Sequence, residues 1–126
     1  MILILDIPTD DKRHAAFACV SSIEAVVGFG MAEIGSLPPL YQSGVRYEVD
    51  PPGPQRILRP RQVFEKRTAD CKSLIVYRLC ELRAKCGERI AVPRIEWVRT
   101  GRGFRAHAVI RRADGSIECP STILGM

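Results

Sequence analysis

Asp70-Cys71-Lys72-Ser73-Leu74-Ile75-Val76-Tyr77-Arg78-Leu79-Cys80-Glu81-Leu82-Arg83-Ala84-Lys85-Cys86-Gly87 is the stretch on which the reading of this chain turns. Cys71, Ile75, Leu79, Leu82 and Cys86 recur at spacings of four, four, three and four residues, which sets them on one face of a helix. The helix is expected to begin near Asp70 and to end at Cys86, with Gly87 as its C-terminal cap. Downstream, Ile90–Arg99 and Phe104–Arg112 read as strands joined by Thr100-Gly101-Arg102-Gly103. Ala113-Asp114-Gly115 then turns into a short strand around Ile117–Cys119, because Asp-Gly favours hairpin turns.

Upstream, Pro60 fits the first turn of a helix over Arg61–Lys66. Asp50-Pro51-Pro52-Gly53-Pro54 cannot be helix or central strand; it reads as a surface connector or as a rigid segment lining a cleft. A short strand is expected around Val45–Val49, and a loop over Gly35–Pro39. Residues 2–5, Ile-Leu-Ile-Leu, read as a buried strand. Thr9, Asp10 and Asp11 are helix-starting types, and a helix follows from about Asp11 to Val27 with Phe17, Val20, Ile23 and Val27 as its apolar face. Gly28 and Gly30 should weaken its end. A helix-rich half followed by an antiparallel sheet is an α+β arrangement.

The 126 residues suit a single domain. With 46% hydrophobic and 26% charged residues the composition is that of a soluble globular protein. Five cysteines, an odd number without CxxC pairs, argue against a disulfide scaffold and for reduced thiols in the cytoplasm. The opening MILILDI lacks a basic segment and is interrupted by Asp6, which argues against a signal peptide. No apolar run approaches the ~18 residues of a membrane span.

Cys71 is the most informative position. At a helix start, unpaired N–H groups and the positive dipole end can lower a thiol pKa from ~8.5 towards ~7. Its place on the inward face aims it at the sheet that carries His107. On that strand residues 105, 107 and 109 share one face. A helix-terminal Cys facing a strand His is the layout of thiolate catalysis, in which imidazole holds the proton and returns it to the leaving group. The plain alternatives are a small core Cys and an ordinary strand His.

Asp70-Cys71, the helix closing in Leu82-Arg83-Ala84-Lys85-Cys86-Gly87, Arg105-Ala106-His107-Ala108-Val109, Asp114-Gly115 and Glu118-Cys119-Pro120-Ser121 follow a familiar order. The chain resembles the transglutaminase-like group of the papain-like cysteine-protease superfamily, most of all its short bacterial and phage-encoded members. Gly44-Val45-Arg46-Tyr47 before a Pro-rich stretch, and the close Pro120-Ser121-Thr122-Ile123-Leu124-Gly125-Met126, add to the likeness. It covers residues 44–126, leaving 1–43 as an N-terminal strand and helix within the one domain. The resemblance implies a papain-like fold, with the Cys-bearing helix packed on the antiparallel sheet. It also implies Cys71 as nucleophile and His107 as acid/base, with no cofactor. The orienting Asp of such relatives is expected just before Pro120, where this chain has Cys119. Loss of a triad carboxylate costs up to ~10⁴ in rate in a related mechanism. Glu118 is the neighbouring carboxylate, although strand alternation points it to the opposite face. Asp114 lies in the turn. Lys72-Ser73 and Ala69 also depart from the acidic residues and the Gly usual in these relatives.

An oxyanion donor is also required. Gln55, Gln62, Tyr47 and Tyr41 are the candidates. Cys80, Cys86, His107 and Cys119 include metal-ligand types, but their spacing matches no zinc knuckle or ribbon, so no metal is expected. Cys19, Cys80 and Cys86 read as core or helix-surface residues.

Lys+Arg exceed Asp+Glu by 19 to 14. Arg94, Arg99, Arg102, Arg105, Arg111 and Arg112 crowd the C-terminal strands, and Arg56, Arg59 and Arg61 form a second group. Such groups suit phosphates or an acidic protein partner, or are a solvated strand face. At 6% aromatic residues a base-stacking platform is not expected, which leaves nucleic acid a weak partner.

Two functional expectations follow. One is amide hydrolysis or acyl transfer through a Cys71 thioester, on a peptide or protein substrate. The other is an inactive descendant serving as a phage virion, assembly or adaptor protein, bound to other proteins of the particle.

Overall fold

Asp70, in extended backbone, starts the central helix by accepting the N–H of Cys71 on its carboxylate. Gly87, with φ of +67°, ends it, and the N–H groups of Cys86 and Glu88 return to the carbonyl of Leu82. Between these caps lies α3 of a computed structural model that describes residues 3–5, 12–51, 55–101 and 103–126. In chain order the elements are β1 (Leu3–Leu5), α1 (Lys12–Gly30), 3₁₀ turns at Ile34–Ser36 and Leu40–Gln42, β2 (Arg46–Tyr47) and β3 (Gln55–Ile57). Then come α2 (Pro60–Lys66), β4 (Thr68–Ala69), α3 (Cys71–Lys85), β5 (Val92–Thr100), β6 (Gly103–Arg111), β7 (Ile117–Glu118) and α4 (Pro120–Ile123). The architecture is α+β: helices packed with a three-stranded antiparallel sheet in the order β5-β6-β7 and two small two-stranded ladders.

α3 is buried almost all round and not along one face. Every residue from Cys71 to Leu82 except Arg78 is buried, whereas Cys86, expected on the inward face, is exposed. The helix is the centre of the molecule, so its polar residues are buried too and satisfy backbone groups of irregular segments. The Ser73 hydroxyl accepts the N–H of Leu58, and a Glu81 carboxylate oxygen accepts that of Leu40.

α1 packs on α3 through Ala15, Cys19, Ile23, Val26 and Val27. Of the expected apolar face Ile23 and Val27 are buried, but Phe17 is corrected: it is 72% exposed, and the stripe runs one side over from it. The helix also continues through Gly28 to Gly30. At Gly30 an added Cβ would come within 2.7 Å of the Pro60 ring and 2.9 Å of the Cys80 sulfur, so only glycine lets α1 close against the start of α2.

β1 pairs antiparallel with β3, a strand that sequence patterning did not mark. The strand expected over 45–49 shrinks to two residues, and these run parallel to β4. Thr9, Asp10, Asp11 and Pro52 to Pro54 lie outside the described residues. The β5–β6 hairpin closes at Thr100 opposite Gly103, and β7 adds to β6 only at Ile110–Arg111. Ala108 and Ile110 join the core beneath α3. Among the described residues no single helix is long and apolar enough to cross a membrane.

Candidate active site around His107

The parallel pairing of β2 with β4 sets Tyr47 beside Ala69, and two residues later the chain reaches Cys71 at the first position of α3. Cys71 is 1% exposed. The charge of the buried Lys72 lowers its pKa, as does the backbone of Ala108, next along β6 from His107. Burial is the larger effect, however, and with Asp70 it pushes the thiol up. The Cys71 pKa, expected to be depressed at the helix start, is instead raised, with burial as the largest cause.

His107 is half-buried, with its Nε2 3.1 Å from the sulfur of Cys119. Cys119 is partly exposed and immediately precedes Pro120, where β7 gives way to α4. The Thr122 hydroxyl, one turn into α4, donates to the same sulfur at 3.1 Å. Burial pushes the Cys119 thiol up, but the hydrogen bonds from Thr122 and the interaction with His107 prevail, and its pKa is lowered. The two thiols thus differ in opposite senses. The buried one at the helix start holds its proton, and the one at the imidazole gives it up more readily.

Arg105 and Tyr47 border this group. The Arg105 guanidinium donates to the Tyr47 hydroxyl at 2.8 Å, and both lie close enough to Asp70 and Cys71 for their charges to interact. Glu96 is the cross-strand partner of His107, which places both on one face of the hairpin.

No protein-family model, no curated protein and no solved structure matches this chain. Its chemistry has to be read from these side chains.

The other sequence-derived candidates disperse. Glu118 is not part of the site: its carboxylate accepts from Arg78 at 2.7 Å, from Arg112 at 2.6 Å and from the Tyr41 hydroxyl, on the other side of β7 from His107. Those partners hold its carboxyl below the usual range although burial opposes them. Tyr41 is thereby also excluded as an oxyanion donor. Gln62 accepts the N–H of Arg59 and caps α2. The side chain of Gln55 lies outside the described residues. Of the three candidates with described side chains, Tyr47 is close enough to Cys71 for their charges to interact. Asp114 is occupied by Ser116 in its turn, as expected.

The arginine group divides as well. Arg112 is bound internally by Glu88 and Glu118, Arg102 lies outside the described residues, and Arg105 is tied to Tyr47. Arg94 and Arg111 are exposed on the His107 face of the hairpin, and Arg99 on the other. In the second group Arg59 pairs with Glu33, Arg61 donates to Ser36, and Arg56 is exposed.

All five cysteines are free: Cys19, Cys71 and Cys80 buried, Cys86 exposed, Cys119 between. Among the described residues no three His, Cys, Asp or Glu side chains converge on one point.

Sequence reasoning missed Thr122, Arg105 as a neighbour of Cys71, and Glu96. Thr122 was accessible as the residue three beyond a helix-capping Cys119. Glu96 required the hairpin register, which composition does not give.

Proposed function

We propose that this is a transglutaminase-like cysteine-nucleophile domain of papain-like architecture, working by acyl transfer or amide hydrolysis through a Cys71 thioester. The observation that carries the reading is the placement of the Cys71 sulfur at the start of α3, against the backbone of Ala108, which follows His107 on β6. In this mechanism the Cys71 sulfur attacks a substrate carbonyl and its proton passes to His107. The imidazolium then protonates the departing amine, and water or a second amine releases the acyl group. Tyr47 and Arg105, held together beside Cys71, are suited to the carbonyl oxygen as its charge develops. Cys119 stands in the orienting Asp's place, in contact with the imidazole.

p-Nitrophenyl acetate tests this reading. The expected result is acetylation of Cys71 by peptide mass mapping, counted separately from any at Cys119, absent from Cys71→Ser and formed at least ~100-fold more slowly in His107→Ala, as befits loss of a general base. Acetylation spread over lysines and Cys86, indifferent to His107, would sink it.

A second reading is favoured by the 1% exposure of Cys71 and by burial that keeps it protonated. In that reading the scaffold is an inactive descendant used as an assembly or adaptor protein, for which a phage particle is the natural setting. Its expected result is that Cys71 stays unacetylated in the native protein and becomes accessible only on unfolding.

A further inference from the structure

The sulfur of Cys119 has two polar neighbours, and both favour its anionic form. His107 Nε2 lies at 3.1 Å and can hold the proton; the Thr122 hydroxyl, also at 3.1 Å, donates to the sulfur. Unlike Cys71, Cys119 is partly open to solvent. Its local chemistry is therefore that of a thiol whose anion is favoured by its neighbours, within reach of small molecules.

We propose that Cys119 and His107 form a thiolate–imidazolium pair, and that Cys119 is the residue at which small carbon electrophiles modify this protein. The step is a displacement. The Cys119 sulfur, its proton already on His107, forms a bond to the electrophilic carbon while the bond to the leaving group breaks and carries its electron pair away. The product thioether has no charge, and the proton that the thiol gave up leaves through His107 to solvent.

Two charged residues share the His107 face of the hairpin: Glu96, opposite His107 on β5, and Arg105, two residues before it on β6. From α3 and β2 the site meets Cys71, Asp70 and Tyr47. Glu118, the carboxylate next in sequence, is neutralised by Arg78 and Arg112 and faces away. The lowered Cys119 pKa agrees with the geometry.

This inference does not require Cys71 to be a nucleophile and competes with that reading, because an imidazole that holds the Cys119 proton has no lone pair to accept one from Cys71. Substoichiometric iodoacetamide on the native full chain tests it, with the exposed Cys86 as internal reference. Near pH 6.5 Cys119 is expected to be alkylated at least ~5-fold faster than Cys86, the gain in thiolate outweighing the lower nucleophilicity of a more acidic thiol. Between pH 6 and 8 the Cys119 rate should change little, while an ordinary thiol's rises ~10-fold per unit. His107→Gln should bring Cys119 down to the Cys86 rate. Alkylation of Cys119 no faster than Cys86 in the wild-type chain, or a pH dependence parallel to that of Cys86, overturns the pair whatever the variant does. Cys71 acetylation is a separate readout, so either idea can fail alone.

Discussion

Glu118 and Cys119 are consecutive residues with opposite surroundings. Glu118 is the hub of an ion-pair region that ties β7 to α3 through Arg78, to Tyr41, and to the end of β6 through Arg112, which also binds Glu88. Cys119 turns to the other side and meets an imidazole and a hydroxyl. One region spends its charges on each other and holds the fold. The other leaves a thiol and a base in contact and partly open. A carboxylate next in sequence to the residue that meets His107 is thus no substitute for one near it in space.

The separation can be broken from the hub side first. Glu118→Gln removes one of two counter-ions from each of two arginines, which keep Glu81 and Glu88 and whose side chains are only 15% and 28% exposed; it should cost about 2 kcal/mol in urea unfolding. The preference of iodoacetamide for Cys119 over Cys86 should survive it. Gly30→Ala belongs to neither region, yet forces a methyl group onto Pro60 and Cys80 and should cost about 2 kcal/mol by overpacking. It too should leave thiol selectivity intact, since the site lies on other elements. Loss of that selectivity in either variant would show that the two regions are coupled.

The pH dependence of stability separates them next. Burial pushes the Cys80 thiol and, with help from Glu81, the Tyr77 hydroxyl up to about 12, from ordinary values of 9.0 and 10.0. Both pKa values are higher in the folded protein, so their contribution is complete below pH 9 and is lost as pH rises towards 12. The melting temperature should fall steadily over that range. Glu118 has the opposite sign. Its pKa is lowered from 4.5, so its contribution is present above that pH and is lost as pH falls below it. Glu118→Gln should flatten the acid limb and leave the Cys80 and Tyr77 contributions to the alkaline one unchanged.

The smallest stability effect is expected at Thr122. This residue is exposed, and Thr122→Ala should change stability by no more than about 0.5 kcal/mol. It should still slow Cys119 alkylation several-fold, because the thiolate loses a donor. A variant that alters reactivity without altering stability is the inverse of Glu118→Gln.

Much of this arrangement was legible in the sequence. The two long strands, their turn, α2 with Pro60 in its first turn, and α3 with Gly87 beyond it follow from periodicity and turn chemistry. β3, β4 and the two-residue β2 were not legible, because ladders of two or three residues carry no periodicity. Phe17 misled because an exposed phenylalanine can sit one helical step from the buried stripe. The Cys71 environment was misjudged because a helix start lowers a thiol pKa only where water or a cation remains to stabilise the anion. Here α3 is buried on every side, and desolvation wins. Cys119 was legible as a position but not as a contact, since its meeting with His107 depends on how β7 ends.

Acetyl transfer from p-nitrophenyl acetate to Cys71, compared between wild type and Cys119→Asp, bears most directly on the nucleophile reading. The substitution returns a carboxylate to the position in contact with His107 and removes the competing thiol. If Cys71 is the nucleophile of a site weakened at its third member, Cys119→Asp should acetylate Cys71 at least ~10-fold faster than wild type, a part of the ~10⁴ that a triad carboxylate can contribute. Cys71 left unmodified in both proteins, with native melting curves, would contradict that reading and leave the scaffold a structural one.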